Sequence, residues 1–563
     1  MFRKNEDYKQ YDIFGVTNSL SEKQSKLLSN SIEHSFFKNI FSNIKESDFK
    51  ELYSDKKSRP NVPVNQLVGA LVLKHLFNWT YEALFRNLNF NILTRHAIGI
   101  QSINESVFSE ASIYNFQNKV LQYYIETGKD LLTEVFDKLT ASQLKEYSIK
   151  SDIQRGDSFL IGSNIFDYTR LQLLIEVLLR LYRILDEHDK HQYSEVLQSY
   201  TKQTAGQYIY KLSKENLPKE IEQLAGIYHR MFTSYKDKYG DVTAFNIFER
   251  VYHEHFTVLK DKVGVIPNGQ LNSSILMSPD DPEATYRTKG KKDSKGYSGH
   301  ISETANPSNK LNLITDVAVL PNNIDDAAVL EGRLPEMVDK TPELSEYHAD
   351  GNYGSPSVDK LMEAHKIKQI QTSVRGRKAF AKMEINETAP GDYRVTCEHG
   401  QTVKATKATK GKNAKRLRAV FDYNKCSQCP LNMKCKARVS GGKTKETKRI
   451  WYFSVEKIRL HRRMQNLNTL PPERQKLRAN VEATVKEVKR GIKDGKVRVR
   501  GRAKVKIYLS MSSIAVNLAR VHRYLKYKPD NFVYSNRLIM LLLNIINKIM
   551  NPKIKLVNSI YIN

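Results

Sequence analysis

Residues 345–374 read SEYHADGNYGSPSVDKLMEAHKIKQIQTSV. A short strand-like run ends at Asp350 in a glycine-rich turn. SPSVDKLMEAHKI then has the spacing of a helix, and KQIQTSV that of a second strand. Strand, helix, strand is the repeating unit of an α/β core. It puts Asp350 at the C-terminal end of a strand, where ligands of open α/β sheets collect. Gly351 would give the turn after it a flexible backbone. The plain alternative is an Asp-Gly turn with no further role.

Upstream, DDAAVLEGRLPEMVDK (325–340) is a helix candidate that opens on Asp325 and Asp326. KGYSGHISETA (295–305) and NLITDVAVLP (312–321) are strand runs separated by a Pro-Ser-Asn turn. IQRGDSFLIGSN (153–164) is a further strand, with Asp157 inside it. Between these strands, YTRLQLLIEVLLRLYRIL (168–185) opens a helical stretch that continues to about residue 262. Residues 64–95 and SINESVFSEASIYNFQNKVLQYY (102–124) are helical. Leu67, Leu71, Val72, Leu76 and Phe77 line one broad face. Ser109 serves as N-cap, with Ala111, Ile113, Phe116 and Val120 inward. In a basic protein this pattern suits a helix-turn-helix-like DNA module or an ordinary helical bundle. Downstream, residues 376 to about 465 are rich in Lys, Gly and Thr and read as a β-rich insertion. Residues 473–492 and 501–527 read as helices. The expected organisation is a helical N-terminal DNA-binding domain (1–145) and a core (146–375) with a helical insertion at about 168–262. A basic β-rich insertion with the cysteines (376–465) follows, and then core completion with C-terminal helices (466–563).

The chain has 563 residues and a formal charge of +29, from 90 Lys and Arg against 61 Asp and Glu. That surplus favours a polyanionic partner, nucleic acid first, because each neutralised phosphate releases counterions. The start has no apolar segment of the secretory type. Leu538–Met550 (LIMLLLNIINKIM) is too short to span a bilayer and suits a buried terminal helix. Four cysteines in such a length do not make a disulfide scaffold, so a cytoplasmic, nucleoid-associated protein without membrane contact is expected.

Cutting DNA by direct attack calls for divalent ions held by several carboxylates from different core elements. Asp157 is a charge inside a strand, where a partner or an ion is needed. Glu482 lies in LRANVEATVKEVKR, opposite a stripe of Leu477, Val481, Val485 and Val488. Arg478 and Lys489 fall on its own face. A solvated face with i,i+4 ion pairs explains that spacing equally well. Asp316, inside an apolar run, is the runner-up ligand. Asp325, Asp326, Asp280, Asp281 and Glu283 also compete.

In order, the segments PNVPVNQLVGALVLKHLF, SEASIYNFQNKV, GDSFLIGSNI, DPEATYRTKGKKDSKGYSGH, LITDVAVLPNNIDD, YHADGNYGS and RANVEATVKEVKR resemble bacterial insertion-sequence transposases of the DDE type. They are most like the IS1182 family within the IS4/IS5-like group. The resemblance covers nearly the whole chain. It implies an α/β, RNase H-like catalytic core and makes Asp157, Asp350 and Glu482 the metal-binding triad, with two Mg²⁺ (or Mn²⁺) ions. It also implies DNA end cleavage and strand transfer on double-stranded DNA (terminal inverted repeats and target) by a homodimer on DNA. The related group's Tyr, Arg, Glu, Lys pattern fits at Arg478, Glu482 and Lys489, but Gln475 stands at the tyrosine position. The alternatives are a transposase-derived DNA-binding protein without catalysis and an RNase H-like nuclease without strand transfer.

Cys426, Cys429 and Cys435 in KCSQCPLNMKC, with Cys397 upstream, would make a closed structural Zn²⁺ site, His399 being a substitute ligand for Cys397. Reduced, partly buried thiols without an ion are the other reading. Basic clusters at 404–418, 441–449 and 489–506 would track the DNA backbone. Lys291, Lys292 and Lys295, like Arg478 and Lys489, would contact phosphate.

Overall fold

The structure is a computed structural model, which describes residues 1–10, 15–56, 59–102, 104–259, 262–290, 292–372, 383–389, 391–408, 416–442 and 445–527. Lys291 and the apolar segment 538–550 lie outside the described residues.

After short helical turns, the N-terminal region is built from α1 (Val64–Leu76), α2 (Tyr81–Phe90), α3 (Glu110–Thr127) and α4 (Leu131–Glu146). Helix α1 is buried on every side from Val64 to Leu73, not along a single face, because it runs through the middle of the bundle. Asn78, in the left-handed region (φ 53°), turns the chain into α2, which Thr80 caps. Of the four residues expected inward on α3, Ile113, Phe116 and Val120 are buried. Ala111, on the first turn beyond the bundle, is exposed.

The central sheet begins with β1 (Ile153–Gly162). Helices α5 (Arg170–Ile184), α6 (Leu217–Tyr239) and α7 (Thr243–His255) follow, packed around Leu174, Tyr228 and Phe248 as a separate apolar cluster. The chain then returns as β2 (Thr285–Lys289), the long β3 (Lys292–Thr304) and β4 (Ile314–Pro321). Helix α8 (Asp326–Lys340), strand β5 (Glu346–Ala349), α9 (Pro356–Ala364) and β6 (Lys368–Gln371) complete this part. Strand β3 runs antiparallel to β1 on one edge and to β2 and β4 along the other. Strands β5 and β6 add in parallel beyond β1. The result is a mixed α/β fold consistent with the RNase H-like expectation.

Strands β7 (Glu384–Ala389), β8 (Asp392–Thr396), β9 (Thr402–Lys407), β10 (Arg416–Asp422), β11 (Arg438–Gly442) and β12 (Lys445–Ser454) form a second sheet, ordered β11-β12-β10-β9-β8-β7 and antiparallel throughout. Helix α10 (Val455–Asn468) brings the chain back against β6. Helix α11 (Val481–Val488) and the long α12 (Arg502–Tyr527) finish the described chain. Helix α12 lies against α1, α4 and β4, so the apolar core of the N-terminal helices is continuous with that of the sheet. None of the described helices is long and apolar enough to cross a membrane.

Candidate active site

Asp157 sits midway along β1, in register with Ile301 of β3. Asp350 follows directly on the neighbouring parallel strand β5. Gly156 is required beside Asp157: a Cβ there would lie 1.8 Å from the Tyr347 hydroxyl on β5. Asp350 caps the turn Gly351–Tyr353, accepting from the Asn352 backbone at 2.7 Å and from its side chain at 3.2 Å. Neither Gly351 nor Gly354 adopts a left-handed backbone, so flexibility is not what this turn needs. Gly354 is there for space, since a Cβ would meet the Arg463 guanidinium at 2.3 Å. Under the two aspartates, Ser158 Oγ lies 2.6 Å from Tyr353 Oη, and buried His300 lies 3.3 Å from each. This network ties the Asp350 turn to β1 and β3.

Glu482 lies on the first turn of α11. The single helix expected over 473–492 is broken into a turn at Pro472–Gln475, a 3-10 turn at Leu477–Asn480, the two turns of α11 and a 3-10 turn at Lys489–Gly491. Tertiary contacts cause the break. Arg155 draws on the Leu477 carbonyl at 2.9 Å, and Arg474 pairs with Glu346 at 2.5 Å, so the segment follows the sheet instead of its own helix axis. Arg478 then donates to Asp157 Oδ2 at 2.8 Å and to Glu482 Oε1 at 3.0 Å. Thr484 anchors α11 from behind by donating to buried Glu303, which also takes Arg155 and Arg520.

Burial and neighbouring charge act on Asp157 and Asp326. Burial pushes the Asp157 carboxyl up to about 6. Arg478 and the Ser158 N–H oppose that rise, and Asp350 and Asp326 add to it. Asp326, at the start of α8, is itself raised by burial and by Asp350, against Arg287. Asp157, Asp350 and Asp326 therefore share one electrostatic neighbourhood. Glu482 reaches it through Arg478, and its side chain is 61% exposed. Asp326 was legible only as one acid among several; its place follows from how α8 docks. Among the described residues, no three His, Cys, Asp or Glu side chains converge closely enough to hold a metal ion.

Several other expected residues are engaged elsewhere. Asp316 is buried and held by Arg333 at 2.6 Å and Lys340 at 3.1 Å, which keep its carboxyl low, at about 2. It is a structural ion pair, which corrects the runner-up reading. Asp281 accepts from Tyr297 at 2.6 Å and from the Gly501 N–H at 3.1 Å, and Asp280 and Glu283 pair with arginines. Lys295 is bound to Asp167 and to the Tyr168 carbonyl, while Lys292 is exposed at the start of β3. The Lys489 amine lies over the Phe159 ring and donates to the Leu160 carbonyl at 3.3 Å.

Cys397, Cys426, Cys429 and Cys435 are free, half-buried thiols lining one cavity of about 190 Å³ in the second sheet's subdomain, with His399 on its wall. Burial pushes the Cys426 thiol up, and the other three cysteines add to that.

Residues 396–522 match a family model described as Transposase DDE domain, a span that takes in all four cysteines, Arg478, Glu482 and most of α12. Asp157 and Asp350 precede it. Residues 24–119 match a second model, Transposase domain (DUF772). No curated protein matches the chain significantly. The chain thus carries a DDE-transposase-type domain and a separate transposase domain, consistent with the transposase superfamily.

Proposed function

We propose that the chain is an insertion-sequence transposase of the IS1182 type, which cleaves the DNA ends of its element and joins them to target DNA as a homodimer on DNA. One observation carries this reading. Asp157 on β1 and Asp350 just after the adjacent parallel strand β5 stand side by side, and Arg478 links Asp157 to Glu482 on a segment that Arg474, Leu477, Arg478 and Thr484 fasten to the sheet.

The donor set suits a hard divalent cation: carboxylate oxygens, with a buried Asp157 whose charge is short of water and has Asp350 and Asp326 as like-charged neighbours. Asp157, Asp350 and Glu482 would hold Mg²⁺ or Mn²⁺. Bound there, the ions supply Lewis-acid activation of a water or 3′-hydroxyl and stabilisation of the leaving oxygen. The chain's own groups do the rest. Arg478 neutralises Asp157 and Glu482, and it would turn to a DNA phosphate once cations take over the two carboxylates. The Ser158, His300 and Tyr353 network holds the Asp350 turn in register with β1. Thiols are the donors a softer ion takes, and Cys397, Cys426, Cys429 and Cys435, which line one cavity, would draw together to hold a structural Zn²⁺ that closes a subdomain with a small apolar core.

The test is incubation of the protein and Mg²⁺ with labelled DNA from both flanks of its own gene, beside Asp350→Asn. Nicks at fixed positions, absent in the variant and followed by joined products, are the expected result. Specific binding without cleavage, in Mn²⁺ as well, would replace this reading with a transposase-derived DNA-binding protein. Cleavage without joining would replace it with a nuclease.

A further inference from the structure

A cavity of about 970 Å³ opens between the α1–α2 turn and the segment that joins α11 to α12. It is the size of a small-ligand site, not of a duplex-wide groove. One wall is aromatic. Trp79 stacks on Phe77 at 4.5 Å, and Tyr81 packs against Tyr114 at 5.1 Å. The Lys74 amine lies 4.7 Å over the Tyr81 ring.

The opposite wall is cationic. Arg490, Lys493, Arg498 and Lys504 line it, all exposed, and among the described residues none of them pairs with a carboxylate. Glu487, the one carboxylate among the described lining residues, is taken by Arg520 at 2.8 Å and Arg523 at 3.2 Å. Burial pulls the Lys74 amine down, and Arg498 adds to that, as expected in a cleft that repels cations and has room for anions.

The two walls are fitted to each other. A Cβ on Gly491 would lie 2.5 Å from the Tyr508 hydroxyl and 3.0 Å from Asn78 Oδ1. The cleft is also tied to the far end of the strand that carries Asp157. Gly162, at the end of β1, accepts from Val497 at 2.9 Å and donates to Gly495 at 2.8 Å. Gly162 lies about 17 Å along the strand from Asp157, at roughly 3.3 Å per residue.

We infer that this cleft binds an unpaired DNA strand, with bases stacking on Trp79 and Tyr114 and phosphates on Arg490, Lys493, Arg498 and Lys504. Phosphate binding alone would need no aromatic wall. Ring faces are useful to bases only once these are unstacked, and aromatic rings beside a basic track are how single strands are held without reading sequence. The assignment to DNA rests on the function proposed above. The strand it would hold is one that leaves Asp157 along β1.

The chain has two tryptophans, Trp79 and Trp451, so a Trp451→Phe background leaves Trp79 as the sole reporter. Titration with an oligothymidylate of about 16 nucleotides should quench Trp79 to saturation, about tenfold more tightly than a duplex of equal length. Arg498→Glu with Lys504→Glu should weaken that binding at least about tenfold. No change in Trp79 emission, tighter binding of the duplex in this readout, or indifference to the charge reversal would overturn the inference. If Trp451→Phe does not fold, anisotropy of the labelled oligonucleotide with the otherwise unaltered chain, with and without the charge reversal, decides in the same way. Asp350→Asn should bind the single strand like the parent chain, so a cleft that binds in a protein that never cleaves would remove the proposed catalysis and leave the cleft.

Discussion

Arg478 and Asp157 are 321 residues apart in sequence and 2.8 Å apart in space. The same guanidinium holds Glu482 at 3.0 Å. With both side chains of the Arg478–Asp157 pair more than four-fifths buried, each charge depends on the other in place of water. Removing one partner leaves the other in a poor solvent. Arg478→Ala should therefore destabilise the protein by about 3 kcal/mol at neutral pH. Much of that should return at pH 5, where Asp157 takes up a proton. Denaturant unfolding at the two pH values measures this, and an equal loss at both would show that the ion pair is not the cause.

Asp157 gives a pH dependence of definite sign. Burial, with Asp350 and Asp326 adding to it, lifts its carboxyl from 3.8 to about 6 in the folded chain. The folded state then holds a proton that the unfolded state has released. Stability falls as pH rises from 3.8 to about 6 and stays lower above that, by about 3 kcal/mol for a shift of roughly two units. Asp157→Asn, which resembles the protonated form and leaves Arg478 paired with Glu482, should be more stable than the parent at pH 7.5 in metal-free buffer and no more stable near pH 4. Melting curves across that range check the prediction, and parallel profiles for the two proteins would contradict it.

A divalent cation at the carboxylates should reverse this penalty. Mg²⁺ in large excess over its dissociation constant should raise the melting temperature at pH 7.5, by an amount equivalent to about 2.7 kcal/mol at a hundredfold excess. The effect should fade below pH 6, where Asp157 holds a proton, and be lost in Asp157→Asn, Asp350→Asn and Glu482→Gln. Retention of the full effect in Asp350→Asn would place the ion elsewhere.

The cysteine cavity makes a separate prediction. If the four thiols bind Zn²⁺, the purified chain should carry about one zinc per molecule by elemental analysis, and Cys426→Ser should lose it. The variant should melt earlier while the Mg²⁺-dependent shift at Asp157 remains, since the two sites stand in different sheets. Stoichiometric absence of zinc from protein purified without chelator would leave the thiols as packing groups.

Local pattern revealed a good deal of this molecule. A charge inside an apolar strand picked out Asp157. A strand running into an Asp-Gly turn picked out Asp350. The valine stripe of residues 481–488 placed Glu482 on the outer face. What the sequence hid was decided by distant partners. Nothing near residue 477 announces that Arg155 takes its carbonyl and breaks the helix. Lys295 reads as a free cation until Asp167 captures it, and Asp316 as a ligand until Arg333 and Lys340 occupy it. Asp326 joins the aspartates only because α8 docks with its first turn beside them. The aromatic and basic walls of the cleft are about 400 residues apart in sequence, so neither foretells the other.

Gly156 offers the most local test of how the site is built. Its absent side chain leaves room for the Tyr347 hydroxyl, which would lie 1.8 Å from a Cβ, and Tyr347 is fully buried and cannot withdraw. Gly156→Ala must push β1 and β5 apart next to Asp157 and Asp350, at a cost of about 1–3 kcal/mol. Tyr347→Phe removes the closest atom but leaves the ring carbon 2.9 Å from the new methyl, so rescue should be partial. The double variant should be more stable than the sum of the two single losses implies, by at least about 0.5 kcal/mol. The Mg²⁺-induced shift should weaken in Gly156→Ala and recover in the double variant, because the spacing of the two aspartates depends on this contact. Strict additivity would mean that β1 absorbs the methyl group without moving toward or away from β5.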